Sequence, residues 1–300
     1  MVKKARLIYN PASGHEELPQ KVADILDILE QAGYEASAFR TKPEPNSAKN
    51  EASRCADAGF DLVVAAGGDG TINEVVNGIA PKERRPRMAV IPGGTTNDYA
   101  RALKIPRDDL VAAAKVILRG KTQKMDIGLA GDTYFMNIAA SGSLADLTYG
   151  VPSEVKSALG YTAYMIKGAE MLPKVTSHKM RLTYDGGVYE GPVSMFLLGM
   201  TNSIGGFERI MPDAQLSDGY FQLIVVKTDN SVEMLRLMVQ ALNGQHTQDP
   251  DIIYTKTKQF KAEVLDDHDQ HLPVNLDGEN GGKLPMTFHN LQQRIEFYIG

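Results

Sequence analysis

The hydrophobic positions of the first 130 residues follow two different periods. Short apolar runs such as residues 62–66 have the length of one buried strand, whereas residues 20–32 repeat apolar side chains at the three-to-four spacing of a helix. The complete pattern predicts strands at 6–9, 35–40, 62–66 and 88–91, and helices at 20–32, 47–58, 71–79 and 109–118. Such alternation of strands and helices predicts an α/β domain with a parallel sheet and flanking helices.

After about residue 127 the pattern changes to strands separated by turns rich in Gly and Asp. Strands are predicted at 133–138, 179–184, 188–198, 220–226, 259–264 and 272–276, with helices at 153–172 and 231–242. This order predicts a C-terminal antiparallel β-sandwich-like domain. We expect domains of residues 1–127, completed by 290–300, and 128–289, with an active site in the cleft between them.

Composition and charge exclude some classes of protein. The formal net charge of −5 argues against a dedicated nucleic-acid binder. The single cysteine, Cys55, excludes an internal disulfide framework and fits a reducing cytoplasm, where it would act as a small apolar residue. No apolar run approaches the length of about 18 residues that spans a bilayer, and the N-terminus reads as a strand and not as a signal peptide.

The stretch after the predicted strand 62–66 carries the clearest chemical signal. Gly67, Gly68 and Gly70 precede a predicted helix, and such a junction binds anions because backbone N–H groups and the helix dipole face them. Asp69 would repel a phosphate unless a cation lies between them, which indicates nucleotide phosphates with a divalent metal. The structural alternative is a turn followed by a capping box formed by Thr71 and Glu74.

Two further loops follow predicted strands, at residues 10–14 and 93–98. The carboxyl ends of parallel strands meet at one edge of the sheet, where ligands bind in such folds. Thr95 and Thr96 offer hydroxyl groups, but Asn97 or Asp98 also suits a helix cap, and residues 10–14 also suit a plain turn. The P-loop motif and the usual dinucleotide fingerprint after the first strand are both missing from the sequence.

Taken in order, several motifs resemble the signature of the diacylglycerol/sphingosine-type lipid kinases, whose catalytic domain is related to those of NAD kinases and 6-phosphofructokinases. The motifs are Asn10-Pro11-x-Ser13-Gly14, Gly67-Gly68-Asp69-Gly70-Thr71-x-Asn73-Glu74-Val75-x-Asn77-Gly78, Pro92-x-Gly94-Thr95-x-Asn97-Asp98-Tyr99-Ala100-Arg101, Asp126-Ile127-Gly128, Pro212-Asp213-Ala214-x-Leu216-x-Asp218-Gly219-Tyr220 and Asp277-Gly278-Glu279. The match covers nearly the whole chain and is most similar to the soluble diacylglycerol kinases of Gram-positive bacteria.

The resemblance implies a role for each matching position. It implies ATP binding by Asn10, Pro11, Ala12, Ser13, Gly14, Thr41, Gly67, Gly68, Asp69, Gly70, Thr71, Ile72, Asn73 and Thr95. It implies a Mg²⁺ site formed by Asp218 with the backbone carbonyls of Gln215 and Tyr220. Asp69, Asp98 and Asp126 would form an acidic network that positions metal-bound water, and Lys167 would lie near the lipid head group.

The resemblance also implies a catalytic base. Asp277 matches the proposed general base, with Glu279 close by and sometimes given that role. The sequence by itself favours a hairpin turn at Asp277-Gly278, and Asp218-Gly219 has the same alternative. His15 departs from the lysine often found there in related sequences, and a neutral imidazole attracts anions less than an ammonium. We read residues 266–271 as a solvated hairpin tip and not as a metal site.

The resemblance implies an ATP- and Mg²⁺-dependent kinase of phospholipid metabolism that converts diacylglycerol to phosphatidic acid. We expect a cytoplasmic protein that contacts the inner face of the membrane peripherally. Lys156 and Lys167 with nearby apolar residues suit an interfacial helix at 153–172, although a core-packed helix is the alternative. Other readings are a kinase for another lipid or for NAD, and a nucleotide-binding regulatory protein without turnover. A homodimer formed through an edge strand also stays open.

Overall fold

The computed structural model describes residues 2–13, 17–142, 175–202, 210–266 and 271–300, which divide into two compact units. Unit 1 consists of Met1–Ile127, Tyr134–Met136 and Leu291–Gly300. Unit 2 consists of Gly128–Thr133 and Asn137–Asn290. The chain therefore leaves unit 1 after its α/β segment and returns to it at its C-terminal end.

Unit 1 is built on a parallel sheet, as the sequence predicts. Its first four strands are β1 (Lys3–Tyr9), β2 (Tyr34–Arg40), β3 (Leu62–Gly67) and β4 (Arg87–Pro92). They lie in the order β2-β1-β3-β4, and Ala5 pairs with both Ala36 and Leu62. At the C-terminal end of the chain, Phe297 pairs in parallel with Met88 of β4.

Helices cover this sheet and bury their apolar faces. The helices are α1 (Leu18–Gln31), α2 (Ser47–Asp57), α3 (Asp69–Ile79), α4 (Asp98–Ala102) and α5 (Leu110–Lys115). All six residues of β3 are buried, and Ile72, Val75, Val76 and Ile79 of α3 are completely buried as their spacing predicts. Cys55 is buried in α2, and burial raises the pKa of its thiol to about 12. Cys55 is therefore the small apolar packing residue that the sequence predicted.

The capping box that the structural alternative placed at Thr71 and Glu74 does not form. Helix α3 begins at Asp69, two residues before the predicted start, and its N-cap is Gly68 with an extended backbone. Oε2 of Glu74 instead accepts hydrogen bonds from the backbone N–H groups of Ala48 (2.9 Å) and Lys49 (3.4 Å). Glu74 therefore satisfies two N–H groups at the start of α2, a helix distant from it in sequence.

Unit 2 contains an antiparallel sheet formed by β7 (Ile138–Gly142), β10 (Met195–Gly199), β11 (Phe221–Val226), β12 (Ile252–Thr257), β14 (Pro273–Leu276) and β15 (Glu279–Lys283). These strands lie in the order β12-β11-β10-β7-β14-β15. Helix α6 (Ser231–Asn243) packs on one face of this sheet through Met234 and Leu237.

A second set of antiparallel strands completes unit 2. It consists of β8 (His178–Tyr184), β9 (Gly187–Val193), β13 (Gln259–Val264) and the beginning of β16 (Met286–Tyr298). Phe196 of β10 meets Phe260 and Phe288 of this second set, with ring centroids 4.9 and 5.8 Å apart. The two layers therefore share an aromatic core, which gives the predicted sandwich-like arrangement.

Several strand boundaries differ from the prediction. The predicted strand 188–198 is two strands, because β9 pairs with β8 in one sheet and β10 pairs with β11 and β7 in the other. At the break, the Oγ of Ser194 donates to the carbonyls of Val226 (3.2 Å) and Thr228 (2.7 Å). The predicted strand 133–138 is likewise divided into β6 (Thr133–Phe135) and β7, and β6 pairs with β5 (Thr122–Ala130). Strands β5, β12 and β15 were not predicted. The predicted helix 153–172 lies outside the described residues.

Candidate active site

Three loops at the carboxyl ends of adjacent strands lie side by side in unit 1. We call them the glycine cradle: residues 10–13 after β1, residues 67–71 where β3 passes into α3, and residues 93–97 after β4. The N–H of Asn10 donates to the carbonyl of Ala66 (2.9 Å), and the N–H of Gly93 donates to the carbonyl of Gly67 (2.8 Å). These bonds continue the parallel ladder beyond the strands, so the three predicted loops form one surface.

Side chains join the first two loops of the cradle. The N–H of Gly68 donates to Oγ of Ser13 (3.3 Å), and Nδ2 of Asn10 contacts Oγ1 of Thr71 (3.4 Å). Oδ1 of Asn10 also accepts from the N–H of Ala12 (3.0 Å), which closes the turn after β1. Four of the residues predicted to bind ATP are therefore brought together by direct contacts, and Pro11 and Ala12 lie in the same turn.

The glycines of the cradle are needed for the loops to approach one another. A Cβ atom at Gly94 would lie 2.7 Å from the Cα of Gly68, and one at Gly67 would lie 2.7 Å from Oγ1 of Thr71. Asn97 secures the third loop, because its Oδ1 accepts from the N–H of Gly94 (3.0 Å) and its Nδ2 donates to the Gly94 carbonyl (2.7 Å). Asn97 thus closes its own loop, and its side chain does not cap α4 as one sequence reading suggested.

Asp69 and Asp98 are each the first residue of a helix that begins within or directly after a loop of the cradle. Asp69 begins α3 and Asp98 begins α4, and Gly70 lies in the first turn of α3. A carboxylate in the first turn of a helix is stabilised by the helix dipole. Asp126 lies on β5 with 3% of its surface exposed, and its Oδ1 accepts from the N–H of Gln293 (2.8 Å). All three carboxylates are in unit 1, and their joint role stays a prediction.

The remaining predicted nucleotide positions occupy different surroundings. Thr41 directly follows β2 and donates its N–H to the carbonyl of Tyr9 (2.9 Å), and Thr95 is exposed in the third loop of the cradle. The Ile72 side chain is completely buried, and its N–H donates to the Gly68 carbonyl (3.2 Å). Ile72 therefore anchors α3 to the sheet, which fixes the cradle from within. Gly14 and His15 lie outside the described residues.

Asn77 has a structural role that the sequence motif did not reveal. Its Nδ2 donates to the carbonyls of Tyr134 (2.8 Å) and Asn73 (3.0 Å) and to Oδ1 of Asn73 (3.0 Å), while its Oδ1 accepts from the N–H of Tyr134 (2.9 Å). The carboxamide thus pairs with the backbone of Tyr134 as a neighbouring strand would. A polar residue on the buried side of a helix was the signal that would have found it.

In unit 2, Asp277 lies in the tight turn that joins β14 to β15. Asp277 and Gly278 have φ angles of 53° and 94°, and Leu276 pairs with Glu279 across the turn. The hairpin reading of Asp277-Gly278 is therefore confirmed. Oδ1 of Asp277 accepts from the N–H groups of Asn137 and Ile138, both at 2.8 Å. Two backbone donors fix the direction of this carboxylate, whereas Glu279 is exposed at the start of β15.

Asp218 lies in the loop before β11. Its Oδ1 accepts from the N–H of Tyr220 (3.1 Å), and the ammonium of Lys256 lies 3.1 Å from its Oδ2. Lys258 places its Nζ 4.9 Å from the centre of the Tyr220 ring. The predicted ligand set of one carboxylate and the main-chain carbonyls of Gln215 and Tyr220 consists of hard oxygen donors, which suit Mg²⁺.

Asp213 anchors the same loop to its neighbouring strands. Its carbonyl accepts from Nε2 of Gln222 on β11 (3.3 Å), and its Oδ2 accepts from the hydroxyl of Tyr254 on β12 (3.1 Å). Burial, helped by the nearby Asp213 carboxylate, raises the pKa of Tyr254 above its ordinary value, so the hydroxyl remains a neutral donor. The loop that carries Asp218 is therefore held at both a main-chain and a side-chain atom.

The remaining predictions concern metal clusters, the segment 266–271 and contact with a membrane. Within the described ranges, no group of three or more His, Cys, Asp or Glu side chains is arranged to hold a metal ion. Asp266 closes a loop, since its Oδ2 accepts from the N–H of Lys179 (2.7 Å), while residues 267–270 are outside the description. Lys167 lies outside it as well. No helix among the residues described has the length and apolar character required to cross a membrane.

Comparisons with known proteins match both parts of the chain. Residues 4–130 match the family described as the diacylglycerol kinase catalytic domain. Residues 148–298 match the family described as the YegS C-terminal NAD kinase beta sandwich-like domain. Each unit described above therefore contains most of one family match.

Named relatives are similar along nearly the full length. A diacylglycerol kinase from Staphylococcus aureus (strain bovine RF122 / ET3-1) is 48% identical over 298 residues, which covers 99% of this chain and 93% of the relative. A diacylglycerol kinase from Bacillus subtilis (strain 168) is 47% identical over 294 residues, which covers 98% of this chain and 95% of the relative.

Solved structures agree with these relatives. The crystal structure of a diacylglycerol kinase from Bacillus anthracis strain Sterne superimposes with a TM-score of 0.77 at 26% identity, covering 99% of this chain and 97% of the other. A second structure from the same organism gives a TM-score of 0.84 at 28% identity with the same coverage.

Proposed function

Because the chain belongs to the diacylglycerol kinase family and is a lipid kinase, we propose that it transfers the γ-phosphoryl group of ATP to the free hydroxyl of diacylglycerol. The hydroxyl oxygen forms the new bond to phosphorus while the bond between that phosphorus and the ADP oxygen breaks. The hydroxyl proton passes to a protein carboxylate, and the products are phosphatidic acid and ADP. The observation that carries the proposal is the glycine cradle, three contacting loops at the carboxyl edge of a parallel sheet.

The cradle supports ATP binding in two ways. The first turn of α3 directs its N–H groups and the positive end of the helix dipole outward from the second loop, a recurrent phosphate-binding arrangement. The hydroxyls of Ser13, Thr71 and Thr95 lie on the same three loops and supply further hydrogen-bonding groups. Phosphoryl transfer depends mainly on positioning and on electrostatic stabilisation, which a rigid cradle provides.

Asp277 is the proposed general base. A base must point at the proton it removes, and the two N–H groups that bind Oδ1 hold the Asp277 carboxylate in one orientation. Glu279 is exposed, and none of the described residues bonds to its side chain, so its direction is less constrained. For that reason we assign the proton transfer to Asp277 and keep Glu279 as the rival candidate.

Mg²⁺ is the proposed metal. The carboxylate of Asp218 and the carbonyls of Gln215 and Tyr220 would hold one ion, in keeping with the hard-oxygen preference of that metal. The metal supplies positive charge that offsets the negative charge of the phosphates. Asp69, Asp98 and Asp126 are proposed to orient water around a nucleotide-associated ion, because carboxylates near phosphates require a cation between them.

The lipid substrate requires contact with a membrane surface. We propose that the protein is cytoplasmic and binds the inner face of the membrane peripherally, with residues 153–172 as the contact and Lys167 near the lipid head group. The support is the sequence pattern of that segment, which combines lysines with Tyr, Met and Leu. A homodimer formed through an edge strand is a further proposal.

A transfer assay tests the function directly. Purified protein, Mg²⁺ and γ-labelled ATP are incubated with mixed micelles that contain diacylglycerol, sphingosine or no lipid, and in parallel with NAD. We expect label in phosphatidic acid alone. Label in NAD or in the sphingosine product would show that this compound, and not diacylglycerol, is the acceptor. ATP binding without any labelled product would identify a regulatory protein that lacks turnover.

A further inference from the structure

A cavity of about 310 Å³ opens at the amino edge of the unit 1 sheet. Its walls include Lys3 and Tyr34, which pair in parallel near the starts of β1 and β2, together with Asp61 just before β3 and Arg87 at the start of β4. The first residues of parallel strands meet at one edge, so this cavity is opposite to the glycine cradle. The volume is close to the lower limit of about 300 Å³ for small-molecule sites.

The charges of the cavity are mostly positive although the chain as a whole is acidic. The charged residues that line it are Lys3, Arg84, Arg85, Arg87, Asp61 and Glu296. Two of these cations are paired, because Arg87 lies 3.1 Å from Glu296 and Arg84 lies 3.7 Å from Asp61. Within the part of the chain that is described, Lys3 and Arg85 form no ion pair. The cavity therefore has two positive charges in excess of its carboxylates.

Arg85 supplies one of these two excess charges. It is partly buried, and its guanidinium donates to the carbonyl of Lys82. Burial lowers the pKa of Arg85, and the positive charge of nearby Arg294 lowers it further, while Tyr134 acts in the opposite direction. Arg294 is itself held in place by a bond from its Nε to the carbonyl of Ala80 (2.9 Å). An anion beside Arg85 would relieve this repulsion between two guanidinium groups.

The remaining walls are apolar or neutral. Phe60, Pro86 and the ring of Tyr34 line the cavity. The hydroxyls of Tyr34 and Tyr298 form a buried hydrogen bond of 2.8 Å, and burial raises the pKa of Tyr34 above its usual value. Tyr34 therefore adds no negative charge, and the three rings offer a surface for the organic part of a ligand.

We propose that this cavity binds a phosphate monoester, with Arg85 and Lys3 contacting the phosphate and Phe60 and Tyr34 contacting the attached organic group. A guanidinium fork matches the geometry of phosphate oxygens, and a dianion compensates both excess charges. The phosphate belongs either to a free metabolite or to the head group of an anionic lipid. The proposal does not depend on the kinase function, because the cavity and the cradle are at opposite edges of the sheet.

The test uses the full chain with the cradle occupied by a non-hydrolysable ATP analogue and Mg²⁺. Glycerol 3-phosphate is titrated by calorimetry, and in a second arm the protein is sedimented with phosphatidylcholine vesicles that contain or lack phosphatidic acid. Arg85→Gln and Lys3→Gln are compared with Arg181→Gln, which removes an exposed arginine paired with Glu190 in unit 2. Lys3 is exposed, so its variant is expected to fold even where Arg85→Gln does not.

We expect saturable binding that Arg85→Gln and Lys3→Gln each weaken by about tenfold or more, as the loss of a charge-assisted hydrogen bond predicts, while Arg181→Gln binds as the wild type does. If these two variants lose binding of glycerol 3-phosphate, the ligand is a free metabolite. If they lose only binding to vesicles that contain phosphatidic acid, the ligand is a lipid head group. Binding of neither probe, or binding that Lys3→Gln and every folded Arg85 variant leave unchanged, overturns the proposal. Kinase turnover enters neither arm, so failure here leaves the proposed function standing.

Discussion

The ammonium nitrogen of Lys256 lies 3.1 Å from Oδ2 of Asp218. Lys256 is on β12, in register with Gln222 of β11, so the lysine reaches Asp218 from the neighbouring strand. Asp218 is also the proposed side-chain ligand of Mg²⁺. The Lys256 ammonium and a magnesium ion would therefore compete for the same carboxylate.

Replacing Lys256 by methionine is expected to strengthen the binding of Mg²⁺. The substitution keeps an unbranched side chain and removes the competing charge. Because partly exposed ion pairs contribute about 0.2–1 kcal/mol, we expect the dissociation constant to fall by up to about fivefold. Calorimetric titration of the nucleotide-free protein with MgCl₂ measures this change.

Lys261→Met is the matched control for that experiment. Lys261 pairs with Glu263 at 2.9 Å on β13, and this pair has no proposed metal role, so its loss should leave Mg²⁺ binding unchanged. Asp218→Asn should abolish the heat of binding. Equal affinity of the wild type and Lys256→Met would show that the lysine does not compete with the ion.

Asp277→Asn is expected to remove catalysis while the hairpin is retained. Asparagine keeps an Oδ1 acceptor for the N–H groups of Asn137 and Ile138 but does not accept a proton from the substrate hydroxyl. General-base catalysis contributes about 10²–10⁴-fold, so kcat should fall by at least about a hundredfold. The measurements are kcat and KM with diacylglycerol micelles, together with the urea midpoint of unfolding.

Glu279→Gln separates the two candidate bases. Glu279 is exposed on β15, and its neutral isostere should change kcat by less than about threefold if Asp277 is the base. A large loss of kcat in Glu279→Gln, with near-normal turnover in Asp277→Asn, would transfer the role to Glu279.

The sequence predicts the elements whose apolar pattern is local. Strand β3 and the buried face of α3 lie where the periodicity places them, and the three loops of the cradle follow from the order of strands and helices. Parallel pairing of the strands then places the loops that carry Asn10, Gly68 and Gly94 side by side. This part of the candidate site is predictable because topology decides it.

Interactions between distant segments could not be predicted. Glu74 has the spacing of a capping box with Thr71, yet it bonds to Ala48 and Lys49 of α2, because packing of α3 against α2 places those N–H groups beside it. Strand β15 contains Glu-Asn-Gly-Gly-Lys and has no apolar residue, so only its pairing with β14 reveals it. The orientation of Asp277 likewise depends on Asn137, which lies 140 positions away.

Gly94→Ala is expected to disturb the glycine cradle. Its Cβ would lie 2.7 Å from the Cα of Gly68, so the second and third loops must separate. Overpacking of this kind costs about 1–3 kcal/mol, and separated loops should weaken ATP binding. Urea denaturation and nucleotide titration measure the two effects.

Gly68→Ala is the steric comparison at the same contact. Gly68 has φ −78°, which alanine adopts readily, and its added Cβ would lie 3.5 Å from the Cα of Gly94, an ordinary contact distance. Its unfolding free energy should therefore change by less than about 0.5 kcal/mol. Equal stability of the two alanine variants would mean that the loops have room to adjust.

Glu51→Gln is expected to lower stability in a manner that depends on pH. Burial by itself would raise the pKa of Glu51, but hydrogen bonds from Arg54 and Arg6 outweigh burial and lower this pKa below its ordinary value. The unfolded state therefore binds the proton more tightly than the folded state. The ionised Glu51 stabilises the fold above the unfolded pKa of about 4.3, and this stabilisation is lost as the pH falls through the folded pKa.

The free energy of unfolding of wild type and Glu51→Gln is measured by urea titration between pH 3 and pH 7. At pH 7 the variant should be less stable by about 1–3 kcal/mol, since a buried hydrogen-bonded carboxylate is replaced by a neutral group. The difference should narrow as the pH falls below the unfolded pKa of about 4.3, because the unfolded chain then takes up a proton that folded Glu51 binds only at lower pH. A constant difference across the range would show that Glu51 contributes by packing and not by charge.

Asn77→Asp tests whether the pairing of Asn77 with Tyr134 is structural. Aspartate has the same shape but no N–H donor, so the bonds to the carbonyls of Tyr134 and Asn73 are lost and replaced by repulsion between oxygens. Asn77 has only 7% of its surface exposed, and unsatisfied buried groups cost about 1–3 kcal/mol each. We expect a loss of at least about 2 kcal/mol in the free energy of unfolding. The comparison is Asn243→Asp, at an exposed asparagine that donates to the Val239 carbonyl at the end of α6, where the helix dipole limits the loss to about 1 kcal/mol or less. A structural role also predicts that the loss of stability is the same with and without ATP, whereas a raised KM for ATP at unchanged stability would instead make Asn77 a nucleotide contact.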